Sequence, residues 1–560
     1  MAEPSYVSGI SAKPLIGETI GRVFDAACSA HPDQLAVVAR HQGVRWTYSE
    51  LKEQVDALAM GMLSLGLSPG DRVGIWAPNC AEWLLTQYAT AKLGLILVNI
   101  NPAYRVSEVE YVLNKVGCRA LITAQRHKTS DYVGMLAELE PSLGGSAKSD
   151  PSRLPHLEFI LTLGAEARTG CQRFDDVLAE GALSDAGRLE EIGRGLQFDD
   201  PINIQFTSGT TGFPKGATLS HHNILNNGFF VGEAIGLQEG ERLCAPVPLY
   251  HCFGMVMANL ACLTHAACVV YPAEAFEPGA TLEAVAEERC AALYGVPTMF
   301  IAMLNHSEFD GFDLSSVRTG IMAGSPCPIE VMRRVVDRMN MRQVTIAYGM
   351  TETSPVSFQS SVDDALEKRV STVGRIHPHI EVKIVDDEGR VVPRGQPGEL
   401  CTRGYSVMLG YWEDPDQTAT SIDKAGWMHT GDLAVLDEDG YCNIVGRIKD
   451  MLIRGGENVF PREIEEFLYR HEQIQDVQVV GVPDPKFGEE ICAWIILRPG
   501  AQLDAEAVRT FCRGQIAHYK IPRYVKFVEQ FPTTVTGKVQ KFEIRRAMIE
   551  ELQLTAEHTA

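Results

Sequence analysis

The chain has 560 residues, too many for a single hydrophobic core, so two or more domains are expected. Hydrophobic residues make up 45% and charged residues 22%, the composition of an ordinary globular protein. Lys and Arg total 50 against 72 Asp and Glu, and the resulting charge of −22 disfavours nucleic acid or an anionic membrane surface as a partner.

The N-terminal stretch MAEPSYVSGISAKPLIGE has no basic, apolar or Arg-rich amphipathic pattern, so no export or organelle signal is read there. Thr47 and Glu50 form a capping-box pair that opens a helix to Leu65, with Gly66 placed to end it. A strand-like DRVGIWAPN (71–79) follows, then a helical segment from Ala81 to Leu93. Short apolar runs recur at 93–100, 119–123, 157–163, 267–272 and 344–349. This alternation predicts an α/β fold with largely parallel sheets. The moderately apolar stretch 254–270 is short and interrupted by Asn259, Thr264 and His265, which predicts a buried helix and no membrane span. From Ile380 to Gly446 the rhythm changes to short strands broken by DDEG (386–389) and DEDG (437–440), a small β-rich subdomain with two hairpins. Past Asp450, runs at 474–482, 490–499 and 523–529 and a helix near Ala505 to Ile516 predict a small α+β domain. The junction GRIKDMLIRGGEN (446–458) is charged and glycine-containing, as a hinge would be. The expected class is α/β: a large N-terminal domain over 1–447, with parallel-type α/β sheets and the β-rich subdomain, and a small C-terminal domain over 448–560. The 14 cysteines are scattered with no Cys-x-x-Cys pair, which fits a reducing compartment; a cytoplasmic protein is expected.

TSGTTGFPKG (207–216) carries the strongest chemical signal. Its glycines, Gly209, Gly212 and Gly216, let backbone N–H groups approach a polyanion, and the hydroxyls of Thr207, Ser208, Thr210 and Thr211 donate to its oxygens. Lys215 adds a point charge. The combination suits nucleotide phosphates, although no Gly-Lys-Ser/Thr closes it as in a Walker A loop. A Ser/Gly/Thr-rich surface turn accounts for the bare composition equally well.

Five further motifs follow in order: PLYHCFG (248–254), AYGMTETSP (347–355), GWMHTGDL (426–433), GRIKDMLIRGGENVFPREIE (446–465) and PTTVTGKVQK (532–541). With the 207–216 loop they closely resemble the adenylate-forming superfamily, which comprises acyl-CoA synthetases, luciferases and peptide-synthetase adenylation domains. Residues 425–450 resemble the fatty-acyl-CoA synthetase signature. Segments 5–17, 200–212, 404–412 and 518–532 are similar to the medium-chain acyl-CoA ligases of animals.

The resemblance implies a two-step ligase. A carboxylate attacks the α-phosphate of ATP, releasing pyrophosphate, and the thiol of coenzyme A then displaces AMP. It implies that Lys538 bridges the carboxylate and α-phosphate oxygens, that Glu352 ligates the Mg²⁺ of ATP, and that Thr351 contacts the α-phosphate. The alternative for Glu352 is a plain charge at a helix start, and for Lys538 a solvated surface lysine. Residues Thr207 to Lys215, including Phe213 and Pro214, would hold the nucleotide; Tyr348 would stack on adenine, with Gly324, Ser325 and Pro326 lining the same base. Asp432 would accept from the ribose hydroxyls and Arg447 reach ribose or phosphate, and an interdomain ion pair between these two is the compatible competing reading. Lys449 occupies the hinge position about which the C-terminal domain would be mobile, and Gly455 and Gly456 would admit the pantetheine arm. His251 and Phe253 would sit where the acyl tunnel meets the nucleotide, with His251 a gate or a structural residue, and GVPTMF (295–300) would form another tunnel wall.

The expected partners are therefore small molecules: a carboxylic acid, ATP and CoA. Self-association into a homo-oligomer is left open. The alternatives are a ligase for aryl or branched carboxylates, an acyl-AMP ligase loading a carrier protein, and a catalytically silent nucleotide-binding sensor.

Overall fold

The computed structural model describes residues 3–140, 153–183, 187–207, 214–325, 327–454, 457–534 and 538–554. Two large mixed sheets dominate. An eight-stranded sheet runs in parallel from Gln172–Arg173 through Phe159–Thr162, Ala120–Thr123, Arg72–Trp76 and Ile96–Asn99 to Pro201–Thr207. Beyond Pro201–Thr207 it turns antiparallel through Lys215–Ser220 to Gly410–Tyr411. A nine-stranded sheet has a parallel centre from Gln343–Gly349 to Leu35–Ala39 and antiparallel strands at both edges.

Local sequence explains the helices between them. The helix Tyr48–Ser64 starts at Thr47, whose side chain accepts from the Glu50 N–H while Glu50 returns the bond to the Thr47 N–H. The helix Ala81–Leu93 is buried along almost its whole length and packs against strands of both large sheets. That position buries its polar residues Thr86, Gln87, Thr90 and Lys92 along with its apolar ones. It stops at Gly94, whose φ of 68° is the left-handed conformation that closes many helices.

The β-rich region forms a five-stranded antiparallel sheet from Ile380–Val385, Gly398–Gly404, Met428–Leu436 and Cys442–Arg447, with the unanticipated Tyr6–Ser8 as its outer strand. Both expected turns are present. One continuous apolar core extends from Ile20 to Cys442, and separate clusters begin at Leu452. These belong to a sheet of Leu452–Arg454, Glu457–Val459, Ile474–Asp484, Gly488–Leu497 and Tyr524–Phe527, covered by Pro461–Leu468 and Lys541–Glu551.

Three local expectations need adjustment. The 71–79 strand covers only Arg72–Trp76, because Pro78 cannot donate to a ladder. The helix near 505–516 ends at Cys512. The stretch 254–270 is buried, but it begins as a wide π-helical segment, Phe253–Leu260, continues as Ala261–Thr264 and ends in the strand Cys268–Tyr271. Among the described residues no helix is long and apolar enough to cross a membrane. All 14 cysteines are free thiols.

Candidate active site

Two parallel strands, one from each large sheet, end at the same cleft, as the crevice rule for open α/β sheets predicts. Thr207 closes the strand Pro201–Thr207 and pairs with Lys215, where the return strand begins. Residues 208–213, expected to cradle phosphate, lie outside the described residues, as do Pro326, Gly455 and Gly456. From the other sheet, Gln343–Gly349 carries Tyr348 near its end and leads into the turn Thr351–Thr353. Glu352 is 6% exposed and lies in the first turn of the short helical turn Thr351–Thr353, so it does sit at a helix start, as the alternative reading had it. Thr207 Oγ1 donates to Glu352 Oε1 at 3.3 Å, which joins the expected phosphate strand to the expected metal ligand. The Lys215 ammonium bonds Gln417 Oε1 and lies 5.2 Å from the Tyr411 ring centroid. Pro214, Lys215 and Tyr411 border a cavity of about 330 Å³ with Lys115, Trp412 and Gln417.

Asp432 is 5% exposed and held on both oxygens: Tyr348 OH donates to Oδ2 at 2.7 Å and Arg447 Nε lies 3.0 Å from Oδ1. The ion pair anticipated between Asp432 and Arg447 is present, but within one sheet and not between domains, because the two are register partners on neighbouring strands; each carboxylate oxygen keeps a further lone pair for a ligand hydroxyl. Burial, with Asp432 as second cause, pushes the Tyr348 phenol well above its usual range, so it stays a donor. The approach to Asp432 is fixed by its neighbours. His429 Nδ1 lies 2.8 Å from Glu399 Oε2, the Gly431 N–H donates to Glu399 Oε1 at 3.2 Å, and the Asp432 N–H donates to Thr430 Oγ1 at 3.1 Å. Gly324 has φ of 88°, and a Cβ there would stand 3.1 Å from Val296 Cγ1, so the 323–325 segment abuts the expected acyl wall.

His251 faces the same cleft. Its Nδ1 accepts the Phe253 N–H at 3.2 Å, which leaves the proton of the neutral ring on Nε2. Burial first, and then the positive charge of Lys538, lower its pKa to about 4. Among the described residues, the Lys538 ammonium of the small lobe is the one charged group whose influence on this ring is resolved. Its turn is closed by Thr534 N–H donating to Lys538 O at 2.7 Å and Lys538 N–H donating to Thr534 Oγ1 at 3.2 Å. Thr351 Oγ1 lies 3.9 Å from Cys252 Sγ, beside His251. The π-helical segment is tied down by Gln87 Nε2 donating to Met255 O at 2.9 Å, and the residue before His251 by Asn99 Nδ2 donating to Tyr250 O at 2.9 Å. The lobes meet where Arg462 Nη1 donates to Ile444 O at 2.6 Å.

The family described as AMP-binding enzyme matches residues 24–412, and its C-terminal domain matches 463–538. The chain belongs to the AMP-binding enzyme family. The mitochondrial medium-chain acyl-CoA ligase ACSF2 of Bos taurus is 47% identical over 560 residues, covering 98% of this chain and 91% of that protein. The crystal structure of the anthranilate CoA ligase AuaEII in complex with anthranoyl-AMP has a TM-score of 0.86 at 27% identity, covering 97% of this chain and 99% of that one. ATP-bound MatB from Rhodopseudomonas palustris has a TM-score of 0.81 at 28% identity, covering 95% and 99%.

Several residues that build the cleft of this AMP-binding enzyme escape residue-level reading of the sequence. Glu399 anchors the loop before Asp432, Tyr411 donates to Glu352 Oε1 at 2.9 Å, and Gln87 and Asn99 hold the backbone on either side of His251. Only Tyr411 had a signal, its place in the GYSVMLGYW segment of the resemblance.

Proposed function

We propose that this enzyme is an ATP- and Mg²⁺-dependent ligase joining a medium-chain fatty acid to coenzyme A, with AMP and pyrophosphate as co-products. The observation that carries the reading is the cleft in which the buried Glu352 is held by Tyr411 and Thr207, Asp432 is held by Tyr348 and Arg447, and Thr351 lies beside Cys252 next to His251.

A carboxylate is a weak nucleophile towards a polyanion, because charge repels charge. Lys538 would neutralise the carboxylate and the α-phosphate oxygens as they approach, where negative charge grows in the transition state. Carboxylate oxygen attacks the α-phosphorus, the bond to the bridging oxygen of pyrophosphate breaks, and an acyl-adenylate remains. Glu352 would hold the magnesium carried by ATP, and its burial on a short turn beside Thr351 fits an ion that takes few protein carboxylates. Asp432 would accept from the ribose hydroxyls, with Tyr348 and Arg447 orienting it and the Tyr348 ring against adenine. Neutral His251, its Nε2–H directed by the bond at Nδ1, would border the acyl tunnel. In the second step the CoA thiolate attacks the acyl carbonyl and AMP leaves.

For that step the lobe beyond residue 447 would turn about Lys449, replacing Lys538 with the face near Arg454; a division at 447/448 accords with the separate apolar clusters on either side. A cytoplasmic location accords with the 14 free thiols, and cell fractionation would test it. The substrate reading is tested by pyrophosphate release from a panel of short- to long-chain, branched and aromatic acids, with and without CoA. Greatest turnover with medium-chain acids and CoA-dependent thioester is expected; preference for an aromatic acid, or release with no thioester formed, would refute it.

A further inference from the structure

The two carboxylate oxygens of Glu352 have unequal surroundings. Oε1 accepts the Tyr411 phenol at 2.9 Å and the Thr207 hydroxyl at 3.3 Å. Among the described residues, no hydrogen bond reaches Oε2. Backbone constraints hold the phenol in place. The strand Gly410–Tyr411 pairs with Ala217 and Thr218 on the return strand of the phosphate loop, the Tyr411 N–H donates to Thr418 Oγ1 at 2.9 Å, and the Trp412 N–H donates to Gly216 O at 2.8 Å. Tyr411 is 8% exposed, its ring lies under the Lys215 ammonium, and its hydroxyl donates to the carboxylate.

We propose that Tyr411 is a positioning residue for the metal carboxylate: with Thr207 as a second clamp, it occupies Oε1 of Glu352 so that only Oε2 faces the magnesium of Mg·ATP. This rests on the reading of Glu352 as the metal ligand. A free carboxylate rotates and can ligate through one oxygen or both. Magnesium demands near-octahedral ligands at short distance, whereas calcium accepts bidentate carboxylates in flexible geometry. Occupying one oxygen therefore favours the smaller ion and links its position to the strand that leaves the phosphate loop. Groups that orient a ligand in this way change metal affinity by about 10- to 100-fold.

The test is Tyr411→Phe, which keeps the ring over Lys215 and removes only the donor. Mn²⁺ affinity is read by electron paramagnetic resonance on the full chain with an α,β-methylene ATP analogue, alongside analogue binding without metal. A fall in Mn²⁺ affinity of about 10-fold, a narrowed preference for Mg²⁺ over Ca²⁺, and unchanged metal-free binding are expected. Thr207→Val should give a smaller fall in the same direction, and stands in if Tyr411→Phe does not fold. Unaltered Mn²⁺ affinity in the variants, with Glu352→Gln abolishing it, overturns the positioning role alone. Unaltered affinity in Glu352→Gln as well places the failure in the reading of Glu352.

Discussion

In the large lobe, Glu352 and Asp432 are almost fully buried, and each is bonded by side chains from other elements, Tyr411 and Thr207 for the first, Tyr348 and Arg447 for the second. In the small lobe, Lys538 is exposed, and the bonds that shape its turn involve backbone groups at 534 and 538. One region is held in place by its own side chains, and the other carries its cation on an exposed turn. Preorganised groups stabilise a developing charge without reorganising at the moment of reaction. In the proposed mechanism the Lys538 cation is needed in only one of two steps and gains from being removable, because the thiol then has room to attack.

The largest expected effect tests the delivered side. Lys538→Ala should slow acyl-adenylate formation by about 10²- to 10³-fold, the usual scale for removing one charge-stabilising group. Thioester formation from supplied acyl-adenylate should be spared, as measured by single-turnover assays of each half-reaction. Equal losses in both would show that the lysine is not confined to one arrangement of the lobes.

The built side should respond in binding. Asp432→Asn removes the charge that both Tyr348 and Arg447 address, and hydrogen bonds to charged groups contribute about 1.5–3 kcal/mol. ATP affinity should fall by roughly 10- to 100-fold by calorimetry, with little change in the affinity for CoA. Unchanged ATP binding would leave the Asp432–Arg447 contact as a structural ion pair only.

The two regions also differ in how legible they were. The helix Ala81–Leu93 and the hairpin turns at 386–389 and 437–440 are local, set by the capping glycine at 94 and by turn residues, so sequence alone located them. Tyr348 and Asp432 were each readable within a motif, but the bond between them spans 84 positions. The Tyr411 strand pairs with a partner nearly 200 positions away, and no periodicity in a two-residue strand announces that. The segment Phe253–Leu260 is π-helical where an ordinary helix was expected, and its Met255 carbonyl accepts from Gln87, a tertiary bond that no local pattern announces. Roles assigned to 208–213, 326 and 455–456 fall outside the described residues.

A smaller effect is expected at the seam. Arg462, on the helix Pro461–Leu468, donates to Ile444 O in the strand that precedes the junction. Arg462→Ala removes a hydrogen bond of about 1 kcal/mol from the docked arrangement. Adenylation should slow about fivefold while thioester formation from supplied acyl-adenylate is unchanged. A loss confined to the second step would mean that the contact belongs to the other arrangement.

The smallest expected change reads the docking directly. His251 has a folded pKa of about 4, set first by burial and then by Lys538, against about 6.5 for an unfolded histidine. The unfolded chain therefore binds a proton between these values that the folded ring refuses. The stability the neutral ring contributes is complete above about pH 6.5 and is lost as pH falls through about 4, with a slope up to about 1.4 kcal/mol per pH unit. Lys538→Met removes the nearby positive charge and leaves the burial, so the His251 pKa should rise by a fraction of a unit when followed by NMR of the ring protons. The rise should disappear in any state where the small lobe has turned away, which makes the same ring a reporter of which lobe arrangement is populated. A His251 pKa indifferent to Lys538 would mean that the two groups do not meet in solution, and the delivered half of the comparison would fail there.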